Sequence, residues 1–306
     1  MELYFESRRI QADQFNSNGF VVVEDVLDVC MVEDLRIKAM NSFRELFEVH
    51  LNGKNRLGIG IKNGFKEIVQ RHQNRFEVPY KIDEIGGTEL AMHPKIVSLV
   101  DSILGEQHHV VNISLVVSNP GAADQSWHTD GPHVSVTQHL PCHCLNVFVP
   151  LIDILSHTGP TSFRPGSQHL TRDFRNMYLA AFFKKKLQPV QTPELKRGSV
   201  LMFDYRVLHR GTANTSSEPR PVIVLTFAKP WFQDTLNFPR YSIYDSDSIS
   251  NVDEGPEIPE KATCCKSEND CRLRNSSSIS LSPCESVDSQ KIEKVDDEMP
   301  YETNLV

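Results

Sequence analysis

The segment "DQSWHTDGPHV", residues 124 to 134, places His128 and Asp130 two apart among strand and turn formers. Side chains two apart on a strand project to one face, so an imidazole and a carboxylate here can grip one cation, with Gly131 and Pro132 turning the chain away afterwards. A chain with 12 His produces about one His-x-Asp by chance, so the pair needs a third ligand. His209 is the candidate: it ends the run "GSVLMFDYRVLH" at a strand mouth, before Arg210 and Gly211. Arg220, eleven residues on, starts the next apolar run between Pro219 and Pro221, and a hairpin between the two runs would return it to the side of His209.

Two His and one carboxylate fill one face of an octahedral metal and leave the other open, the arrangement that suits Fe(II) oxygenases. A 2-oxoacid would chelate through its keto oxygen and adjacent carboxylate. The far carboxylate of 2-oxoglutarate would then need a buried planar cation, and the fork of Arg220 meets that need.

The elements that must position these residues fall into two textures. A polar helix ending near Asn18 and Gly19 precedes the strand "FVVVEDVL". Asp28 then caps a long helix with Val29, Val32, Leu35, Phe43 and Leu46 on one face. "TELAMHPKIVSLVDSILG" reads as another helix, with Pro94 in its first turn, Ile96, Leu99, Val100 and Ile103 on its apolar side, and Gly105 at its end. Thereafter "HVVNISLVVSN", "CHCLNVFVPLI", "GSVLMFDYRVLH" and "PVIVLTFAKPW" are short β-branched and aromatic runs divided by turn formers, the pattern of an antiparallel sandwich or barrel. A helical segment around "RDFRNMYLAAFFKKKL" interrupts them. The expected fold is mainly β with flanking helices: one jelly roll, buttressed by the early helices.

Charge separates core from tail. Residues 246 to 306 hold 14 acidic and 6 basic side chains, so the whole net charge of −8 lies there and residues 1 to 245 are neutral. That tail is Ser-rich, with Tyr301 as its lone aromatic, and is expected to be disordered because it cannot offset its ordering entropy. "NSSSISLSPCES" within it is either a phosphorylation segment or a solvated linker. The core has no basic stripe for nucleic acid. No apolar run reaches the roughly 20 residues of a membrane span, and "MELYFESRRI" lacks an apolar signal core. With an odd count of 7 Cys, four of them in the tail, and an end "NLV" that is not a peroxisomal signal, the expectation is a cytoplasmic protein in a reducing compartment. Nothing in the residues bears on oligomeric state.

Residues from about Phe15 to Tyr244 resemble the phytanoyl-CoA dioxygenase family of Fe(II)- and 2-oxoglutarate-dependent oxygenases. "NGFVVVEDVL" is similar to its opening, "DQSWHTDGP" to its His-x-Asp segment, "GPTSFRPGSQH" to its G-P-T and P-G-S-H element, and "HRGTANTSSEPRP" to its distal His and Arg. The resemblance implies a double-stranded β-helix of the cupin-like type, iron on His128, Asp130 and His209, and the oxoglutarate tail on Arg220. It places Asn146 on a strand lining the cosubstrate pocket and Arg75 where some members have a basic cosubstrate or substrate contact. Gln125 and Thr212 are further polar candidates for 2-oxoglutarate, and Trp127 and His133, which flank the ligand pair, are candidates for the pocket wall. The implied reaction takes dioxygen and a small-molecule substrate, releases succinate and carbon dioxide, hydroxylates a C–H bond, and is expected to respond to ascorbate. Two departures stand out: an inserted Gln168 in the P-G-S-H element, and Gly211 where some relatives supply a Ser hydroxyl, with Thr212 as candidate replacement. The inserted residue is expected to alter a loop only.

Three rivals remain. "HLPCHC" offers zinc ligands in His139, Cys142, His143 and Cys144, although structural zinc favours spaced pairs on turns and these crowd the start of an alternating strand. A non-enzymatic jelly-roll module would have no need to keep all three ligands and the Arg. A cupin-type isomerase has no need of Arg220.

Overall fold

The computed structural model describes residues 2–51, 57–135, 137–172, 188–235 and 237–244. The expected helix after Arg172 and the acidic tail lie outside these residues. Helix α1 (Glu2–Asn18) ends where Gly19 takes a φ of +83°, a left-handed turn that favours glycine. Gln168 packs against this turn and its Nε2 donates to the Asn16 carbonyl at 3.0 Å, satisfying a group that every helix end leaves orphaned. The inserted residue therefore does more than alter a loop: it ties the site's scaffold to α1.

Strand β1 (Phe20–Val23) leads to α2 (Val29–Glu45), capped as expected by Asp28, whose Oδ1 accepts from the Cys30 amide at 2.8 Å. Val32, Leu35 and Phe43 of α2 are buried, whereas Val29, the first residue of the helix, is 49% exposed and departs from the expected face. Strands β2 (Val69–His72) and β3 (Arg75–Tyr80) form a hairpin. The next expected helix is two, α3 (Gly87–Ala91) and α4 (Pro94–Leu104). Pro94, having no N–H to donate, begins the second helix rather than continuing the first. No helix among the described residues is long and apolar enough to cross a membrane.

The remaining strands are β4 (His109–Ser118), β5 (Cys144–Pro150), β6 (Thr161–Phe163), β7 (Val200–Asp204), β8 (His209–Gly211) and β9 (Arg220–Ala228). Seven strands form one antiparallel sheet in the order β1-β7-β5-β9-β4-β3-β2, and β6 pairs with β8 in a second. Bridges from His128 to His209 and from Gln191 to Phe163 widen the small sheet on both sides. This is the jelly-roll, cupin-like architecture the short strands imply.

Alternation divides the large sheet into two faces. Ile113, Leu115, Val117, Leu145, Val147, Ile223, Leu225 and Phe227 turn toward α1, α2 and α4 and form the main core. The other face meets the small sheet, and there the register brings polar residues into rows. Arg75, Ser118 and Arg220 sit opposite one another on β3, β4 and β9, and His72 pairs with Arg75 from β2. Six residues further along β9, Thr226 pairs with both Asn112 and Asn146.

The run "GSVLMFDYRVLH" is not one strand. It crosses between sheets at a turn where Arg206 donates to both oxygens of Asp204, from Nε at 2.8 Å and from Nη2 at 2.7 Å, with both residues buried. β8 consequently pairs with β6, whereas β9 pairs with β4 and β5. The hairpin expected to join His209 to Arg220 does not exist; the two residues approach from opposite sheets.

Candidate active site

His128 and His209 are bridge partners, exchanging backbone hydrogen bonds of 3.0 and 2.9 Å, so the small sheet itself sets their rings 4.5 Å apart between centroids. Asp130 lies two residues past the bridge, in a bend rather than on a regular strand. Its Oδ1 is 3.8 Å from His128 Nε2 and its Oδ2 is 3.6 Å from His209 Nε2. One ligand atom from each residue lies within 4.8 Å of the others, and among the described residues no other His, Cys, Asp and Glu group shares such an arrangement.

Tautomers follow from the backbone. His128 Nδ1 donates to the Ser126 carbonyl at 2.8 Å and His209 Nδ1 to the Val207 carbonyl at 3.0 Å. A carbonyl only accepts, so both protons reside on Nδ1 and both Nε2 lone pairs face Asp130, the outer support common to metal-binding histidines. Burial, then the neighbouring His209, pushes His128 down to about 4, so its ring is neutral at neutral pH. The donor set, two imidazoles and a carboxylate, fits Fe(II).

Asn146 is placed beside this carboxylate. Its Nδ2 donates to Asp130 Oδ2 at 2.7 Å, and its Oδ1 accepts from Thr226 Oγ1 at 2.6 Å. The strand face that was expected to meet a cosubstrate thus steadies the candidate ligand Asp130.

A cavity of about 470 Å³ lies between the sheets, within the range of small-ligand sites. It is lined by the three candidate ligands, by Arg75, Arg220, Gln125, Trp127 and Asn146, and by Arg71, Glu77, Asn237 and Phe238, which the sequence did not single out. Arg75 and Arg220 are each 2% exposed, and among the described residues neither meets a carboxylate within ion-pair distance. Arg75 Nη2 donates to the Thr212 carbonyl at 2.8 Å, and the Nε of each Arg is buried without a partner. Burial lowers Arg220 to about 9, helped by the charge of Arg75, and lowers Arg75 to about 10 against the pull of Asp124. Both remain cations at neutral pH. By contrast Arg71 is compensated: its Nε meets Glu77 Oε2 at 2.6 Å, and Ser114 Oγ donates to Glu77 Oε1 at 2.6 Å.

Other candidates sit differently. Gln125 does reach the cavity, where its Oε1 accepts from the Gly211 amide at 3.1 Å. The Thr212 hydroxyl instead donates to the Pro160 carbonyl at 2.7 Å, so the proposed replacement for a family Ser is engaged elsewhere. Trp127 lines the cavity under the guanidinium groups of Arg164, 5.2 Å away, and Arg210, 4.9 Å away. His133 is not among the lining residues: its Nε2 donates to Thr171 Oγ1 at 2.8 Å, and that hydroxyl donates to the Arg206 carbonyl. In the rival zinc cluster, Cys142 and Cys144 are buried thiols whose deprotonation burial opposes, and His143 is buried against Trp231 and Phe232.

Gly211 explains its own departure from the family pattern. A Cβ there would lie 2.6 Å from Arg75 Nη1 and 2.6 Å from Gln125 Oε1, so Arg75 fills the space a Ser side chain would take. Gly211→Ser is therefore expected to displace Arg75 and weaken 2-oxoglutarate binding about tenfold, the scale of one hydrogen bond to a charged group, while Fe(II) binding is retained. Calorimetric titration of each ligand checks this; unchanged 2-oxoglutarate affinity would remove Arg75 from the cosubstrate site.

Comparison with known proteins is decisive for the family. The family described as phytanoyl-CoA dioxygenase matches residues 15–222. The chain belongs to that family. Membership makes it, in reaction class, a non-haem iron and 2-oxoglutarate-dependent dioxygenase. An uncharacterized protein of Mycobacterium tuberculosis is 26% identical over 236 residues, covering 74% of this chain and 78% of the relative. Among solved structures, AviO1 from Streptomyces viridochromogenes is 21% identical with a TM-score of 0.57, over 74% of this chain and 97% of that one. The epimerase SnoN, solved in complex with Fe3+, alpha ketoglutarate and nogalamycin RO, is 19% identical with a TM-score of 0.55, over 73% and 84%. At these identities the family member's fold is what the structures share.

Of the residues that sequence reasoning missed, Arg71 and Glu77 carried a weak signal, being charged positions flanking a hairpin turn. Asn237 carried none, because nothing local marks which polar residue after the last strand folds back.

Proposed function

We propose that this family member binds Fe(II) on His128, Asp130 and His209, holds the distal carboxylate of 2-oxoglutarate between Arg220 and Arg75, and hydroxylates a C–H bond of a small organic substrate. The observation that carries this reading is the uncompensated pair of buried guanidinium groups in the cavity of the metal triad. Buried charges are costly unless paired, so two adjacent cations with no carboxylate at ion-pair distance among the described residues fit a ligand anion. 2-Oxoglutarate is such a dianion, with one end suited to the metal and the other to arginine. SnoN, with a similar fold, was solved with Fe3+ and alpha ketoglutarate.

When bound, iron with 2-oxoglutarate and dioxygen supplies the oxidising power, releasing succinate and carbon dioxide. The chain's own share is geometric. The Ser126 and Val207 carbonyls hold both imidazoles in the ligating tautomer, Asn146 orients Asp130, and Arg220, Arg75 and Gln125 set the cosubstrate. Arg71, Asn237 and Phe238 face the rest of the cavity and are available to the substrate. No side chain needs to act as a general base.

The test is succinate formation from 2-oxoglutarate with Fe(II) and ascorbate, wild type beside His209→Ala. Succinate from the wild type alone is expected. Absence of both succinate and an anaerobic Fe(II)·2-oxoglutarate absorption band in the wild type would return the non-enzymatic module as the better reading.

A further inference from the structure

We propose that the segment after β9 is part of the iron centre, and that Asn237 is a positioning residue that holds Asp130 in ligating posture. The inference rests on the metal reading above and extends it to residues beyond the matched family region, which ends at 222. Asp130 has an unusual need for support. His128 is held by a two-way bridge to His209, whereas Asp130 stands past that bridge, in a bend without a ladder of its own.

Its backbone is held instead by two residues from elsewhere. The Tyr205 carbonyl accepts from the Asp130 amide at 2.9 Å and from the Gly131 amide at 3.1 Å. Asn237 Nδ2 donates to the Asp130 carbonyl at 2.8 Å. The same amide group reaches Asp234 Oδ2 at 2.7 Å, and the Tyr205 hydroxyl also donates to Asp234. Asp234 Oδ1 accepts from the Asn237 amide at 3.1 Å, which fixes the side chain's starting point. Tyr205, Asp234 and Asn237 thus form a closed triangle around the peptide units on either side of the metal ligand. With Asn146 on the carboxylate, the amide, the carbonyl and one side-chain oxygen of Asp130 are all fixed from outside its own segment.

The segment is fastened at its far end as well. The Lys66 amide donates to the Tyr241 carbonyl at 2.7 Å, the Ile243 amide donates to Glu67 Oε2 at 2.8 Å, and the Phe238 ring lies 5.3 Å from the Arg71 guanidinium. It is a strap from β9 to the loop before β2, and it contributes Asn237 and Phe238 to the cavity wall. An amide suits position 237 because it donates without charge. A carboxylate there would face the Asp130 carbonyl and Asp234 with acceptors only.

The experiment is anaerobic titration with Fe(II), and with Co(II), whose visible spectrum reports ligand geometry. Wild type is compared with Asn237→Ala, Asn237→Asp and Tyr205→Phe, alongside the melting temperature of each metal-free protein. Asn237→Ala is expected to weaken metal binding by about 10–100-fold, the usual cost of losing an outer support, with a metal-free melting temperature within about 4 °C of wild type. Asn237→Asp should weaken it further, and Tyr205→Phe, which removes only the hydroxyl, should fall between wild type and Asn237→Ala. Equal affinity and an unchanged Co(II) spectrum in Asn237→Ala would overturn the inference. So would a loss of affinity that only parallels a collapse in melting temperature across the three variants. A wild type that binds neither metal would instead overturn the iron reading on which the inference rests.

Discussion

Asp130→Ala and His128→Ala proteins are expected to fold and to emerge without iron. Each removes one of the three donors, and Asp130 also supplies the only anionic one. The loss in Fe(II) affinity should therefore exceed the 10–100-fold typical of an outer support, and turnover should disappear with the metal. The fold should survive, because the site is a cavity wall and not the core. The main core lies on the opposite face of the large sheet, and Asp130→Ala strands a single Asn146 amide donor at a cost of about 1 kcal/mol or a little more. Metal content after anaerobic dialysis, read beside the melting temperature, separates the two effects. An iron-loaded, active double variant would sink the proposed metal site.

Arg220→Ala is expected to raise the Kd for 2-oxoglutarate by roughly 10–150-fold, equivalent to the ~1.5–3 kcal/mol of a hydrogen bond to a charged group. The same position should show an opposite effect on stability. A buried cation with no ion-pair partner among the described residues is a cost to the ligand-free fold, so Arg220→Met should raise the metal-free, ligand-free melting temperature while weakening cosubstrate binding as Arg220→Ala does. Arg220→Met that lowers the melting temperature would mean that the guanidinium has a stabilising partner.

Acidity provides a second signature. Arg220 is lowered to about 9 in the fold from an ordinary value of 12.5, with burial as the larger cause and Arg75 as the next. Between those values the unfolded chain binds more protons than the folded one, so ligand-free stability rises with pH there, and the cost is present in full below 9. Cosubstrate binding runs the other way. It needs the charged guanidinium, so affinity should be flat below pH 9 and fall by about tenfold per unit above it, until the pKa of the complex is reached. Arg220→Ala should abolish the onset near pH 9 and leave only the loss at higher pH that Arg75, lowered to about 10, contributes. A wild-type affinity independent of pH up to 11 would show that Arg220 does not hold the carboxylate.

Much of the scaffold was legible because its signals are local. The Asp28 cap, Pro94 at a helix start, the glycine-terminated helices and the short β-branched runs each follow from dihedral preference or the placement of backbone donors, within a few residues. The errors arose where a local pattern spans a tertiary event. "GSVLMFDYRVLH" has the composition of one strand, and only the buried Asp204–Arg206 turn shows that it changes sheets. Val29 fits the apolar stripe of α2 by spacing, but it stands at the helix start and is 49% exposed.

The site divides along the same line. By itself the sequence determined the chemistry on offer, His128, Asp130, His209 and Arg220 in an order that resembles the family's motifs, because donor type is a property of residues; the strand spacing argued for His128 and Asp130 is not what joins them, since Asp130 stands in a bend. The tertiary structure decided what surrounds them. It put His209 and Arg220 on opposite sheets, set Arg75 beside Arg220 across three strands, spent the Thr212 hydroxyl on Pro160, turned His133 away, and brought Asn237 back from beyond the last strand to Asp130. Those placements depend on sheet register and on which buried polar groups find partners, and both are settled only when segments far apart in the chain pack together.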